Sequence, residues 1–405
     1  MSYAVAAVLT AALAVGAFIR AFFIPHTAGS DVVQFAAFAD SAYRHGLCFY
    51  KHAGGDPGWP YNWPFPYGPL ALLLLALVRA HARGAVEAAD GNYYVPMDWA
   101  AALKAVYATL DVVNALLLYH LAGRSWRGVA AAVFYYLSPA VVYVTSIYGM
   151  FDSLPLALLL AALAARGDLP RGFLLGLAAA TKANAAPAAV AALLASPSKK
   201  AAAGFAAGAL LLFLPFEAAC PGSLASFAGV IAYLGAPNYN PPVVYSFNGL
   251  TTLATYLHET EGGDYLWLIR SWWLPAAVVY ALILTKKAAP AEAAYLSYLA
   301  YVTTYWRVNY QYFLPLVGLA ALYAASRAPR LSKALALIHA SAASAWVFIY
   351  PVSWWARVHV KSPSEDVVRA LDAVSLKILD PAAYVYYSLF ITALGYAALA
   401  ASLRR

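Results

Sequence analysis

Long apolar runs recur along the chain, separated by short basic turns or by long stretches rich in Gly, Pro, Tyr and Trp. The runs Leu156–Ala165 and Ala188–Ala195 are continuous rather than alternating. A transmembrane β-barrel needs a period of two, so these runs predict helices. At roughly 20 residues per crossing, the pattern predicts twelve spans: 3–24, 99–121, 128–147, 152–166, 171–182, 186–197, 201–219, 266–285, 289–306, 310–326, 333–352 and 382–402. The pair 171–182 and 186–197 is very short and reads as a tight helical hairpin, with Lys182, Asn184 and Pro187 in its connection. The run from Pro69 to Ala80 is followed at once by His81 and Arg83 and carries Arg79. An apolar stretch of about 11 residues lies on a membrane surface more readily than it crosses, so this one predicts an interfacial helix.

Composition makes the bilayer the solvent. Of 405 residues, 63% are hydrophobic and 11% are charged, with a mean hydropathy of +0.66. A soluble domain carries roughly 25% charged residues. The fold class is therefore an all-α polytopic membrane protein of about 12 transmembrane helices. Residues 3–19 have no basic segment before them and no convincing cleavage site after, so they read as the first span rather than a signal peptide.

The net charge of +8 reads as topology, not as nucleic-acid affinity. With the N-terminus inside, the short inner turns and the tail hold Arg124, Arg127, Arg166, Arg171, Lys199, Lys200, Lys286, Lys287, Arg327, Arg330, Lys333, Arg404 and Arg405. That is half of the 26 Lys and Arg, with only Asp168 and Glu292 among them. Were 69–80 to cross, all of these would face outward, so charge also argues for a surface helix. Both termini are then cytoplasmic. The long segments 25–98, 220–265 and 353–381 fall outside, and loops of that length usually carry function. The first of them carries the interfacial helices. Cys48 and Cys220 allow one bridge if both face an oxidising side. No His spacing suggests a metal site.

Candidate chemistry gathers on that outer face. Asp31 follows the first span, where it either caps a helix over 32–45 or serves as a base for an acceptor hydroxyl. Asp152 either caps the helix after it or is a paired, functional acid at membrane depth. Asp111 lies deeper and reads as a buried structural partner or a residue of a lipid pathway. Lys182, Arg307 and Arg270 either snorkel to the interface or meet an anionic ligand; a cation in a broken hairpin suits a phosphate. The 31 Tyr and 11 Trp suit an interfacial belt and also sugar faces.

Several elements recur in a family-like order. Asp31 follows the first helix, and Gly46 to Tyr50 forms a Gly-x-x-x-Tyr element. Tyr67-Gly68-Pro69 opens the interfacial helix. Leu137-Ser138-Pro139 leads on to Tyr148-Gly149-Met150-Phe151-Asp152-Ser153, and Gly176-Leu177-Ala178 leads through Lys182 to Pro187. Asn309-Tyr310-Gln311-Tyr312-Phe313-Leu314-Pro315 comes last. Together they resemble the GT-C membrane glycosyltransferases, above all the dolichyl- and polyprenyl-phosphate-mannose-dependent mannosyltransferases such as the catalytic subunit of GPI mannosyltransferase I. The likeness covers residues 1–219 and, beyond them, mainly 307–316. Met150 stands where glutamine is common, and Gly68 where a first proline is common.

The resemblance implies a GT-C-like membrane module over 1–219, with seven helices and the outer loop 25–98, and a second module over 220–405. It implies an inverting transfer of a sugar, mannose being favoured by family frequency, from a polyprenyl or dolichyl phosphate to a glycan or lipid-linked acceptor, amid membrane lipids and outside the cytoplasm. Asp31 would be the catalytic base. Asp152, Asp40 and Gln311 would bind acceptor or orient the site. Lys182, Arg307, Asn309 and Tyr312 would hold the donor phosphate. No cofactor is firmly implied, and a divalent metal stays open but unsupported. A transporter or flippase is the alternative of a different class, although the two halves do not resemble each other.

Overall fold

The computed structural model describes residues 3–57, 59–82 and 86–404; Arg83 and Arg405 of the charge reading lie outside them. The chain opens with α1 (Tyr3–Phe23), α2 (Ser30–His45) and α3 (Pro69–His81). A small antiparallel hairpin follows, β1 (Glu87–Ala89) with β2 (Asn92–Tyr94), pairing Glu87 with Tyr94 across a turn at Asp90-Gly91. Then come α4 (Met97–Leu121), α5 (Trp126–Tyr136), α6 (Pro139–Val142) with a π-helical turn at Tyr143–Tyr148, α7 (Ser153–Ala164), α8 (Asp168–Thr181), α9 (Ala186–Leu194), α10 (Lys199–Leu210) and α11 (Leu214–Ala219). The later half holds α12 (Ser223–Gly235), α13 (Gly249–Glu261), α14 (Trp267–Arg270), α15 (Trp273–Thr285), α16 (Pro290–Thr304), α17 (Phe313–Ala325), α18 (Arg330–Ser344), α19 (Trp346–Ile349), α20 (Glu365–Val374) and α21 (Pro381–Leu403).

Six segments among the described residues are long and apolar enough to cross a membrane: Tyr3–His26, Met97–Leu121, Lys199–Ala219, Trp267–Thr285, Arg330–Ile349 and Pro381–Leu403. A seventh is the pair Trp126–Tyr136 and Pro139–Tyr148, bent by 48°. Pro139 opens the second piece, and a π turn ends it, both ordinary causes of a kink. The remaining five of the twelve expected spans are shorter helices. The 15 residues of α16, for example, extend about 22 Å, against a hydrocarbon core of about 30 Å.

Where these short helices stop is informative. α7 begins beside Asp152, α8 ends before Lys182, α16 ends before Arg307, and α17 begins after Tyr312. Each leaves its candidate site residue at a helix end. The segment 220–265, read from sequence as an outer loop, holds α12 and α13, and 353–381 holds α20. Shortness hid α12, a 13-residue apolar helix, and polarity hid α13, which reads Gly-Leu-Thr-Thr-Leu-Ala-Thr-Tyr-Leu-His-Glu-Thr-Glu.

α8 and α10 pack through glycine. A Cβ at Gly172 would come within 2.0 Å of the Ala201 carbonyl oxygen, and one at Gly176 within 2.0 Å of that of Phe205. From the other side, Gly204 faces Leu169 at 2.3 Å and Gly208 faces Phe173 at 2.0 Å. Contacts advance along both helices together, so α8 and α10 run parallel. Reciprocal Gly-x-x-x-Gly spacing allows such backbone contact in a lipid-like setting. α9 returns between them, and Arg171 at the start of α8 donates to the Ser196 carbonyl at 3.0 Å. The hairpin expected around Lys182 is thus formed, with Lys182 at its tip.

Deep in the bundle, Arg20 of α1 and Asp111 of α4 form an ion pair at 3.1 Å, both buried. Arg20 also donates to the carbonyls of Gly16 at 3.2 Å and Tyr136 at 2.9 Å. Asp111 accepts from Tyr135 at 2.9 Å and Thr145 at 2.8 Å. Asp111 is therefore a structural partner, the first of its two sequence readings.

Candidate active site

Asp31 lies in the first turn of α2, but it is not a cap. The N-cap is Gly29, with no side-chain cap hydrogen bond. The Tyr148 hydroxyl instead donates to Asp31 Oδ2 in a short contact, and Tyr148 shares a 2.7 Å hydrogen bond with Ser30. The turn before α2 is stitched in place from three sides. Gly29 N–H donates to the Tyr148 carbonyl at 2.8 Å, Ala28 N–H to Trp355 at 2.8 Å, and the Thr27 hydroxyl to Ser146 at 3.2 Å. Lys104 of α4 donates to the Thr27 hydroxyl at 3.0 Å and to its carbonyl. A Cβ at Gly29 would fall 2.4 Å from the Tyr148 ring, so glycine is what lets that ring lie against the turn. Gly149 then takes a left-handed φ of 94° and redirects the chain toward Asp152.

Asp152 occupies the N-cap position of α7 without making a cap hydrogen bond. Its carboxylate accepts from Lys182 Nζ at 2.9 and 2.7 Å and from Asn184 Nδ2 at 3.1 Å. Lys182 Nζ also sits 5.2 Å from the Phe151 ring centroid, 5.6 Å from Tyr67 and 5.9 Å from Tyr312. The extended backbone of Lys182 bridges to Tyr67, and Gly68 N–H donates to the Thr181 carbonyl at 3.2 Å. A Cβ at Gly68 would lie 2.0 Å from the Ala180 carbonyl oxygen. Proline, common at this place in the GT-C pattern, would add that Cβ and remove that N–H; the close approach explains the departure.

Asp31, Lys182, Arg307, Asn309, Gln311 and Tyr312 all line one cavity of about 510 Å³. Arg307 lies 6.0 Å from the Trp306 ring and forms no ion pair among the described residues. Asn309 Oδ1 accepts from Asn240 at 3.3 Å. Gln34 and Phe38 of α2, and Trp63 between α2 and α3, also line it. Ile231, Leu234, Trp272 and Tyr305 add apolar surface to the lining. Burial raises the Asp31 carboxyl above its ordinary value, with Asp152 adding to the rise; Tyr148, Lys182 and Arg307 pull it back. Such a carboxylate is a stronger base than an exposed one.

Three candidates stand elsewhere. Asp152 is fully buried behind Lys182, not on the cavity wall. Asp40 also lies off the wall and pairs with Arg79, tying α2 to α3. Arg270, at the end of α14, is not among the lining residues. Sequence reasoning gave no role to Tyr148, although it was visible in the Tyr-Gly-x-x-Asp stretch. Gln34 was visible one helical turn beyond Asp31. Among the described residues, no group of three or more His, Cys, Asp or Glu is placed to hold a metal ion. Cys48 and Cys220 form a disulfide, joining the segment after α2 to the C-terminal end of α11.

A helical bundle with membrane-spanning segments thus brings an acid, Asp31, and two cations, Lys182 and Arg307, onto one cavity. The chain belongs to glycosyltransferase family 87, whose sequence model matches residues 65–306, more than half of its length. It is therefore a glycosyltransferase, and the transporter reading gains no support. The matched region contains Asp152 and Lys182; Asp31 precedes it, and Arg307 follows directly after it. No curated protein matches the chain.

Proposed function

We propose that the protein transfers a hexose, mannose being favoured, from a polyprenyl or dolichyl phosphate to a glycan or lipid-linked acceptor on the non-cytoplasmic side of the membrane. One observation carries the reading: a base, Asp31, opens onto the same cavity as Lys182 and Arg307. An acceptor hydroxyl gives its proton to Asp31 as its oxygen attacks the anomeric carbon. The bond from that carbon to the phosphate oxygen breaks, the polyprenyl phosphate leaves with the bonding pair, and the anomeric configuration inverts. Phosphate is a good leaving group, so the site mainly positions the reactants and neutralises developing charge. Arg307 and Lys182 serve that need, with Asn309, Gln311 and Tyr312 beside them on the wall. Asp152 acts by fixing Lys182.

The apolar surface of Ile231, Leu234 and Trp272 suits the first isoprene units of the donor. The basic inner turns and the Cys48–Cys220 disulfide both support an extracytoplasmic site, since disulfides persist on oxidising sides of membranes. The test uses purified protein, polyprenyl-phosphate mannose and a labelled glycan acceptor. Asp31→Asn is expected to lose turnover by about 10²–10⁴-fold while eluting as a folded protein. Near-wild-type turnover in that variant would remove Asp31 from the role.

A further inference from the structure

Tyr148 is held in place by its ring and its backbone. The ring is buried and meets Tyr310 and Trp355 edge to face, each with centroids 4.9 Å apart, and stacks on Tyr143 at 6.0 Å. It also lies against Gly29, where a Cβ would collide with it, and the Tyr148 carbonyl accepts from Gly29 N–H at 2.8 Å. These contacts set where the hydroxyl stands without any help from Asp31. The Asp31 carboxylate, by contrast, takes its hydrogen bond among the described residues from Tyr148.

The direction of the hydrogen bonds follows from proton count. A phenol has one proton, and an ionised carboxylate only accepts. That proton therefore goes to Asp31 Oδ2, and the 2.7 Å bond to Ser30 runs from Ser30 to Tyr148. Oδ2 is thereby occupied. Oδ1 has no partner among the described residues and is accessible, on a residue that lines the cavity. Rotation about the Cβ–Cγ bond would otherwise exchange the two oxygens of a carboxylate.

We infer that Tyr148 is a positioning residue for the transfer: its hydroxyl locks Asp31 Oδ2 and leaves Oδ1 as the atom that takes the acceptor proton. The proton leaves the acceptor oxygen for Oδ1. An electron pair of that oxygen bonds to the anomeric carbon as the phosphate departs with the pair it shared. Tyr148 keeps its own proton throughout, since Oδ2 accepts from it both before and after Oδ1 is protonated. The inference rests on Asp31 as the base of the function proposed above.

Tyr148→Phe tests it, in purified full-length protein supplied with polyprenyl-phosphate mannose and a labelled glycan acceptor. That variant keeps the ring contacts and is expected to elute as folded protein. On the alkaline plateau Asp31 is ionised in both proteins, and kcat is still expected to fall about 10–100-fold, with both KM values within about twofold of wild type. Burial raises the Asp31 carboxyl and the Tyr148 hydrogen bond pulls it back, so the acid limb of kcat/KM is expected to move to higher pH in the variant. The other groups facing Asp31 are Lys182, Arg307, Asp152 and the hydroxyls of Tyr67, Tyr107, Tyr245 and Tyr310, and the substitution alters none of them. Tyr143→Phe removes a neighbouring buried hydroxyl that holds Trp355 rather than Asp31, and is expected to leave the limb in place. In an Asp31→Asn background, Tyr148→Phe is expected to cost less than about twofold, because it acts through the carboxylate. A limb that stays put, a plateau within about twofold of wild type, or the full further loss in the Asp31→Asn background would each overturn the inference. Unchanged turnover in Asp31→Asn alone would remove the base itself and this inference with it, so the two failures are told apart.

Discussion

Among the places where this protein buries charge, two treat it differently. Around Arg20 and Asp111 every charged atom is answered: the pair sits at 3.1 Å, with two carbonyls, Tyr135 and Thr145 completing it. Around Asp31 the charges open onto a cavity, and Arg307 forms no ion pair among the described residues. Both regions lie at helix surfaces of the same bundle, so burial alone does not separate structure from function. What separates them is whether the polar groups are closed on one another. A closed cluster holds helices together; an open one waits for a ligand.

Asp31→Asn and Asp111→Asn set this contrast most sharply. The first is expected to cut transfer by about 10²–10⁴-fold with the folded yield kept. The second leaves Arg20 buried without its counter-ion, a change of about 3–5 kcal/mol, and is expected to lower folded yield and melting temperature together. Size-exclusion profiles and thermal melts of both variants in one detergent decide it. A stable Asp111→Asn protein with selectively lost activity would move Asp111 from the closed class to the open one.

Lys182 belongs to both regions at once, since it lines the cavity and is paired with Asp152 at 2.7 Å. Lys182→Met is therefore expected to lose stability as well as activity, because Asp152 stays buried beside it. Adding Asp152→Asn should restore most of the stability and little of the activity. Recovery of activity in the double variant would show that Lys182 serves packing alone. Arg307→Gln removes a cation that no acid holds in place. It is expected to raise the KM for donor about 10-fold, as loss of a charge-assisted contact of roughly 1.5 kcal/mol would, with an unchanged melt. A change in acceptor KM instead would place Arg307 beside the acceptor.

Much of this arrangement was legible in the sequence, and the reasons for the rest are physical. Apolar run length gave the long spans, because a bilayer demands about 20 residues whatever the fold. It also marked α7, α8, α9, α16 and α17, which are helices of only 9 to 15 residues. Their ends carry Asp152, Lys182, Asn184, Arg307 and Tyr312, and run length is blind to where a helix stops for a cavity. Asp31 and Asp152 each looked like a helix cap, since a cap and a catalytic acid share a sequence signature. Only the contacts to Tyr148 and Lys182 tell them apart. The glycines at 172, 176, 204 and 208 carried a visible spacing, yet that two such stripes face each other is a fact of tertiary structure. Gln34 was visible one helical turn beyond Asp31, but that its Oε1 lacks a partner is a fact of tertiary structure.

The smallest effect is also the most diagnostic of an open site. Burial raises the Asp31 carboxyl above the value it has in an unfolded chain. As pH rises from about 3.8, the unfolded chain releases this proton first, and the folded protein holds it until the raised value is passed. Between those two points the folded state binds more protons, so Asp31 lowers stability as pH increases, and above them the loss is constant. Asn cannot ionise and escapes it. The melting temperature of Asp31→Asn, compared with the wild type, is therefore expected to gain between pH 4 and pH 7, by a few degrees at most. The same environment places the acid limb of kcat/KM above the ordinary carboxylate range. Thermal melts of both proteins at the two pH values read the first effect, and a pH profile of transfer reads the second. A gap that closes as pH rises would mean that the folded protein stabilises the Asp31 carboxylate, and the site would then be closed like that of Arg20 and Asp111.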